Sequence, residues 1–240
     1  MIREATWSGG TGTTSWSCRS RECAGFRSGS RSSATQRVPS AGRTATTSPG
    51  TRVDAVELDG ELTTIGKRYF HLGGPRLHLY AADARPWLAA SNAHYDAIFV
   101  DAYRQPYIPF YLLTREFFDS ARKHLRPGGV VVVNVGHLPD SNALEKVVSA
   151  TLHAVFPVVM RDPVSATNSL VIATAKLSSG TRITTAASRG ELSPELVPLA
   201  GEVAARLGPA LRGGTVYTDD RAPVEWLTDL SIVRYAAGTQ

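Results

Sequence analysis

Three carboxylates close successive strand-like runs: Glu57 ends "VDAVE", Asp83 ends "RLHLYAAD" and Asp101 ends "YDAIFVD". A carboxylate can accept both hydroxyls of a ribose, which suits Glu57. It can accept the exocyclic amine of adenine, which suits Asp83, with the Ala84 backbone N–H left for a ring nitrogen. Asp101 would then face whatever reacts at the 5′ end of that nucleoside. Each acid alone has a plain structural explanation, as a helix cap or a solvated side chain. In open α/β sheets, however, ligands lie beyond the carboxyl ends of the strands, where three such acids would gather.

The elements that must position them are legible from periodicity. "VDAVEL" is a strand, and "ELTTIGKRYF" a short helix with Leu62, Ile65 and Tyr69 on one face. "RLHLYAAD" alternates as a strand; "ARPWLAAS" is a helix with proline in its first turn. The continuous apolar run "YDAIFVDAY" marks a strand covered on both faces. "LTREFFDSARKHL" is an amphipathic helix capped by Thr114, stopped by "RPGG" and followed by the buried strand "VVVVNV". A helix over "SNALEKVVSATLHAVF" precedes "PVVMRD" and "NSLVIAT", expected as an antiparallel pair. "SPELVPLAGEVAARL" is a last helix before the tail "VYTDDRAPVEWLTDL". Alternation of strand and helix predicts a three-layer, Rossmann-like α/β fold with a mostly parallel sheet.

Residues 1–50 are different in texture. Ser, Thr, Gly and Arg make up 34 of the first 52 residues, with no Leu before Leu58 and no Lys before Lys67. Such a stretch buries too little apolar surface to offset its ordering entropy. It reads either as a disordered basic tail or as high-GC coding DNA translated out of frame. The net charge of +5 belongs to it, because the first 52 residues hold eight arginines against two acids. The remainder is nearly neutral, so no nucleic-acid partner is expected. No apolar run reaches bilayer-spanning length, and no signal-peptide core is present, so the chain is expected to be cytoplasmic. Two cysteines, Cys18 and Cys23, form no disulfide framework, and the six histidines show no metal-ligand spacing. No metal is expected, and no phosphate-binding P-loop or Gly-x-Ser-x-Gly elbow occurs.

With these motifs in view, the chain resembles the spermidine synthase-like family. "VDAVELDGELTTIGKRYF", "AADARPWL", "YDAIFVDAYRQPYIPFYLLTREFF", "LRPGGVVVVNV" and "TDDRAPVEWL" carry the likeness, over residues 51–235. The likeness is nearest to the bacterial branch whose synthase domain is often fused to membrane spans. It implies the class I methyltransferase fold over 51–240. It also implies aminopropyl transfer from decarboxylated S-adenosylmethionine to a small amine such as putrescine, releasing methylthioadenosine. Glu57 would bind the ribose diol, Asp83 and Ala84 the adenine, and Asp101 would stand beside the attacking amine. A carboxyl of ordinary pKa, about 4, is a weak base for an alkylammonium. Its implied work is to orient the amine and pass its proton onward. Tyr103 and Gln105 would shape the acceptor pocket, and a homodimer is the assembly the likeness leaves open.

Two departures widen the reading. The family's catalytic loop usually carries a second acid three residues after the first, and here that position is Arg104, which would repel a diamine. The glycine-rich loop expected near residues 38–44 is replaced by "VPSAGRT". A methyltransferase using ordinary S-adenosylmethionine on another acceptor is therefore one alternative. A catalytically inactive, truncated or frame-shifted relative is another. The strand that should carry that loop lies at the sheet centre, between those ending in Glu57 and Asp101. Either residues 37–41 fill its slot as a poor strand, or two apolar edges stay bare and the domain is weakly stable. For "TDDRAP", Asp219 and Asp220 are expected to cap a short helix starting near Pro223, with Arg221 paired to an acid.

Overall fold

The structure, a computed structural model, describes residues 3–9, 12–18, 22–28, 51–103, 107–139, 141–176, 180–192 and 194–238. Strands β1 (Arg3–Gly9) and β2 (Gly12–Cys18) pair antiparallel on their own. Everything else is built on one eight-stranded sheet. In chain order its members are β3 (Glu22–Ser28), β4 (Arg52–Glu57), β5 (Leu77–Ala81), β6 (Tyr95–Ala102), β7 (Leu125–Gly136), β8 (Val158–Ser165), β9 (Asn168–Thr174) and β10 (Gly208–Pro209). Their spatial order is β10-β8-β9-β7-β6-β3-β4-β5. The run from β5 to β7 is parallel; β9, β8 and β10 add antiparallel.

The slot between β4 and β6 is filled by Glu22–Ser28, paired parallel to both. Residues 37–41, from which that strand was expected, lie outside the described residues, as does the "VPSAGRT" segment. The centre of the sheet is thus taken from sequence with no strand-like periodicity. Hydrogen-bonded neighbours on both sides, rather than local propensity, account for a strand there.

Helices α1 (Gly60–Phe70), α2 (Ala84–Ala90), α3 (Arg115–Lys123), α4 (Ala143–His153), α5 (Gly180–Ser188), α6 (Val197–Arg206) and α7 (Val224–Gly238) connect and cover the strands. One face of β7 puts Val131, Val133 and Val135 against Phe117, Phe118, Leu144 and Val148, all buried. The other face puts Val132 with Met160, Leu170, Ile172 and Val203. Side chains buried on both faces explain why "VVVVNV" shows no alternation. Thr114 caps α3, accepting the N–H of Phe117 at 3.3 Å. β7 begins directly after that helix, and Gly128, within its first residues, takes the left-handed φ of 85° that glycine allows.

Three features go beyond what the sequence reading offered. The Ile65 and Tyr69 face of α1 is solvent-exposed, and its one buried residue is Gly66. The helix expected near Pro223 starts at Val224 and is longer than expected, running 15 residues to Gly238. Helix α5 was not anticipated, because threonine-rich "TRITTAAS" has weak helical propensity.

Candidate active site

The fold sets the three acids at the carboxyl ends of β4, β5 and β6, with β5 at the edge of the sheet. Arg27 pairs in register with Glu57 on one side and Asp101 on the other, and Glu57 pairs in turn with Ala81. Glu57 and Asp101 therefore stand in one row, two strands and roughly 10 Å apart. Asp83 follows two residues after Ala81.

Local geometry gives each acid a defined posture. Glu57 is half-buried, and its Oε1 accepts the N–H of Asp59 at 3.0 Å. Asp59 is exposed and caps α1, accepting the N–H of Glu61 at 2.9 Å. Asp83 caps α2 with Oδ1, accepting the N–H of Arg85 at 2.9 Å. Ala84, buried, is the first residue of that helix, so its N–H has no acceptor within the helix. Asp83 and Ala84 together present an acceptor and a donor side by side, the pairing that an adenine edge requires.

Asp101 is 8% exposed, and its Oδ1 accepts the side-chain amide of Asn134 at 2.8 Å. Asn134 lies on β7, one residue beyond the paired Val100 and Val133. Its own Oδ1 is buried with no hydrogen-bond partner. Tyr103, also 8% exposed, turns its hydroxyl onto the same strand. That hydroxyl donates to the Asn134 carbonyl at 3.0 Å and accepts the N–H of Gly136. A side chain at Gly136 would meet the hydroxyl at 3.3 Å, so glycine permits this approach. Arg104 and Gln105 lie outside the described residues.

The chain emerging from this loop is tied down twice more. The Tyr107 hydroxyl donates to Asp229 of α7 at 2.6 Å, and this bond holds its pKa above the ordinary phenol value. Arg85 donates to the carbonyl of Tyr111 at 3.0 Å and forms a two-pronged pair with Asp219, at 2.8 and 2.5 Å. The hydrogen bond from Arg85 holds the Asp219 carboxyl below the usual range. Asp219 is thus paired across the fold and does not cap α7, because the short turn Thr218–Arg221 closes on its own backbone. Arg221 makes no ion pair among the described residues.

Asn134 and Arg85 are the residues that the sequence reading missed. Asn134 carried a signal: one polar residue at the carboxyl end of an otherwise apolar strand. Arg85 carried none, because its partners are 26 and 134 positions away. Among the described residues no group of three or more His, Cys, Asp or Glu is arranged to hold a metal. No helix there is long and apolar enough to cross a membrane.

Known proteins share this architecture. A probable spermidine synthase from Corynebacterium glutamicum superposes with a TM-score of 0.60 at 24% identity, covering 88% of this chain and 70% of that one. In sequence, a probable polyamine aminopropyl transferase of Bifidobacterium longum is 32% identical over 199 residues, 75% of this chain and 44% of its own. Putrescine N-methyltransferase 2 of Nicotiana tabacum is 36% identical over 87 residues, 33% of this chain and 24% of its own. The chain spans less than half the length of the curated relatives it matches. Residues 44–171, more than half of it, match the spermine/spermidine synthase domain, and the chain belongs to the spermine/spermidine synthase family.

Proposed function

We propose that this chain moves an aminopropyl group from decarboxylated S-adenosylmethionine to a small polyamine acceptor such as putrescine, in the cytoplasm. The observation that carries the reading is the hydrogen-bonded pair of buried Asp101 and half-buried Asn134, with Asp101 in the same row as Glu57. In this reading Glu57 accepts the ribose hydroxyls, and Asp83 with Ala84 takes the adenine edge. The sulfonium end would then lie toward Asp101. The acceptor nitrogen attacks the carbon beside sulfur, a C–N bond forms, and the C–S electron pair leaves with methylthioadenosine. Before attack the acceptor ammonium gives up one proton to solvent past Asp101, which frees the lone pair; the carboxylate orients the amine and stabilises the positive charge that nitrogen regains as the C–N bond forms. The unpartnered Oδ1 of Asn134 supports this reading, because an amine N–H would satisfy it.

A second reading is methyl transfer from ordinary S-adenosylmethionine to another acceptor. Arg104, where an amine-holding acid is usual, favours it. One experiment separates the two: titrate the chain with both forms of the donor, then identify the product made with putrescine by mass spectrometry. Aminopropyl transfer requires tighter binding of the decarboxylated donor and a spermidine product. Preference for the carboxylated donor, with a methylated product, would establish methyl transfer instead.

A further inference from the structure

We propose that Arg85 is a positioning residue that couples nucleoside capture at Asp83 to the seating of Tyr111, on the segment that follows Asp101. The inference rests on the nucleoside-site reading above and extends it.

Arg85 touches both halves of the site with different groups. Its backbone N–H holds the Asp83 carboxylate at 2.9 Å, fixing the acid assigned to adenine. Its guanidinium holds the Tyr111 carbonyl at 3.0 Å, where the segment that began at Asp101 ends. The same guanidinium grips Asp219 with two nitrogens. Asp219 is fixed from behind, because its N–H donates to Glu116 of α3 at 3.0 Å and the N–H of Arg115 donates to the Tyr217 carbonyl at 2.9 Å.

Beyond Asp101 the described residues are held at Tyr103 by β7, at Tyr107 by α7 and at Tyr111 by Arg85. Only the last pin reaches the nucleoside side. Any shift of Asp83 and the first turn of α2 on binding adenine is carried by the rigid guanidinium to Tyr111. A lysine would keep the charge but not the planar fork that serves two acceptors at once. Simple bracing is a poor explanation, because Arg85 and Asp219 are 28% and 43% exposed and such pairs contribute little to stability.

Asp219→Asn provides the test, as Asp219 lies far from the nucleoside in sequence and its turn closes on its own backbone. Methylthioadenosine affinity is measured by calorimetry and corrected for the folded fraction, together with KM for putrescine. Coupling predicts that D219N binds methylthioadenosine about fivefold or more weakly, with a raised putrescine KM. R85K should behave alike, D219E should recover at least half the loss, and R85Q/D219N should be no worse than R85Q. Wild-type affinity in D219N, or additive losses in the double variant, overturns the coupling alone. A wild-type chain that binds no methylthioadenosine overturns the site reading, and the coupling with it.

Discussion

Asn134 of β7 donates its side-chain amide to the carboxylate of Asp101 on neighbouring β6, across 2.8 Å, and both side chains lie beyond the last buried valine pair. This bond fixes which way the carboxylate faces while leaving the other Asn134 group buried and unmatched. Asp101→Asn should lower kcat by about 10²–10⁴-fold, the usual range for a positioned proton-handling group. Asn134→Leu removes the orienting bond and the unmatched acceptor together. It should lower kcat about tenfold or more, leaving methylthioadenosine affinity within about twofold. Steady-state kinetics beside calorimetry checks both. A wild-type kcat in Asn134→Leu would show that Asp101 needs no such partner.

The Tyr103 hydroxyl serves Asn134 and Gly136 together, so Tyr103→Phe breaks two bonds and strands the Gly136 N–H. Gly136 is half-buried, so stranding its N–H costs up to the ~1–3 kcal/mol of a fully buried donor. For a domain of this size that is a Tm fall of roughly 2–10 °C. Turnover should fall too, because the loop after Asp101 loses its first anchor. Thermal denaturation and kcat are measured on the same preparation, and an unchanged Tm would refute the clamp.

What the sequence made legible was the part fixed by local pattern. The run from Arg52 to Thr174 declared its strands and helices through apolar periodicity, and Thr114 and Asp83 marked helix starts by residue type. The central strand was not legible, because Glu22–Ser28 carries no strand signature and is defined by its neighbours β4 and β6. The acids could be read as a set because each closes a strand-like run of sequence. Their helpers could not, since Arg85 meets Asp219 only through the folded topology. The expected Asp219 cap failed for the same reason: spacing suggests a local partner, and the charge is satisfied at long range.

The two acids proposed for the nucleoside should separate by their second duties. Glu57→Gln and Asp83→Asn each remove a charged acceptor, and each should weaken methylthioadenosine about 10–100-fold, the worth of a hydrogen bond to a charged group. Asp83→Ala also removes the cap of α2, costing about 0.5–2 kcal/mol of stability. Calorimetric titration and melting curves give both quantities. Full affinity in Glu57→Gln would remove Glu57 from the ribose, whatever its place in the row.

Alkaline stability follows from Tyr95. This residue is 1% exposed, and its hydroxyl donates to the buried Asp54 at 3.1 Å, which Arg52 also contacts at 3.3 Å. Burial, reinforced by the charge of Asp54, pushes the Tyr95 hydroxyl up to about 12. Because the folded pKa exceeds the unfolded value of about 10, this contribution is complete below pH 10. As pH rises from 10 to 12 the unfolded chain ionises while the native one does not, and stability falls. The loss attributable to this phenol levels off above pH 12, at about 2–3 kcal/mol. Tyr95→Phe should be less stable at pH 8, since Asp54 loses a donor, but should lose less stability above pH 10. Denaturant unfolding of both chains from pH 8 to 12 measures the difference. Tyr217, whose pKa burial also raises, titrates in both chains and cancels. Parallel curves for the two chains across that window would mean that the Tyr95 hydroxyl ionises as readily inside the fold as outside it.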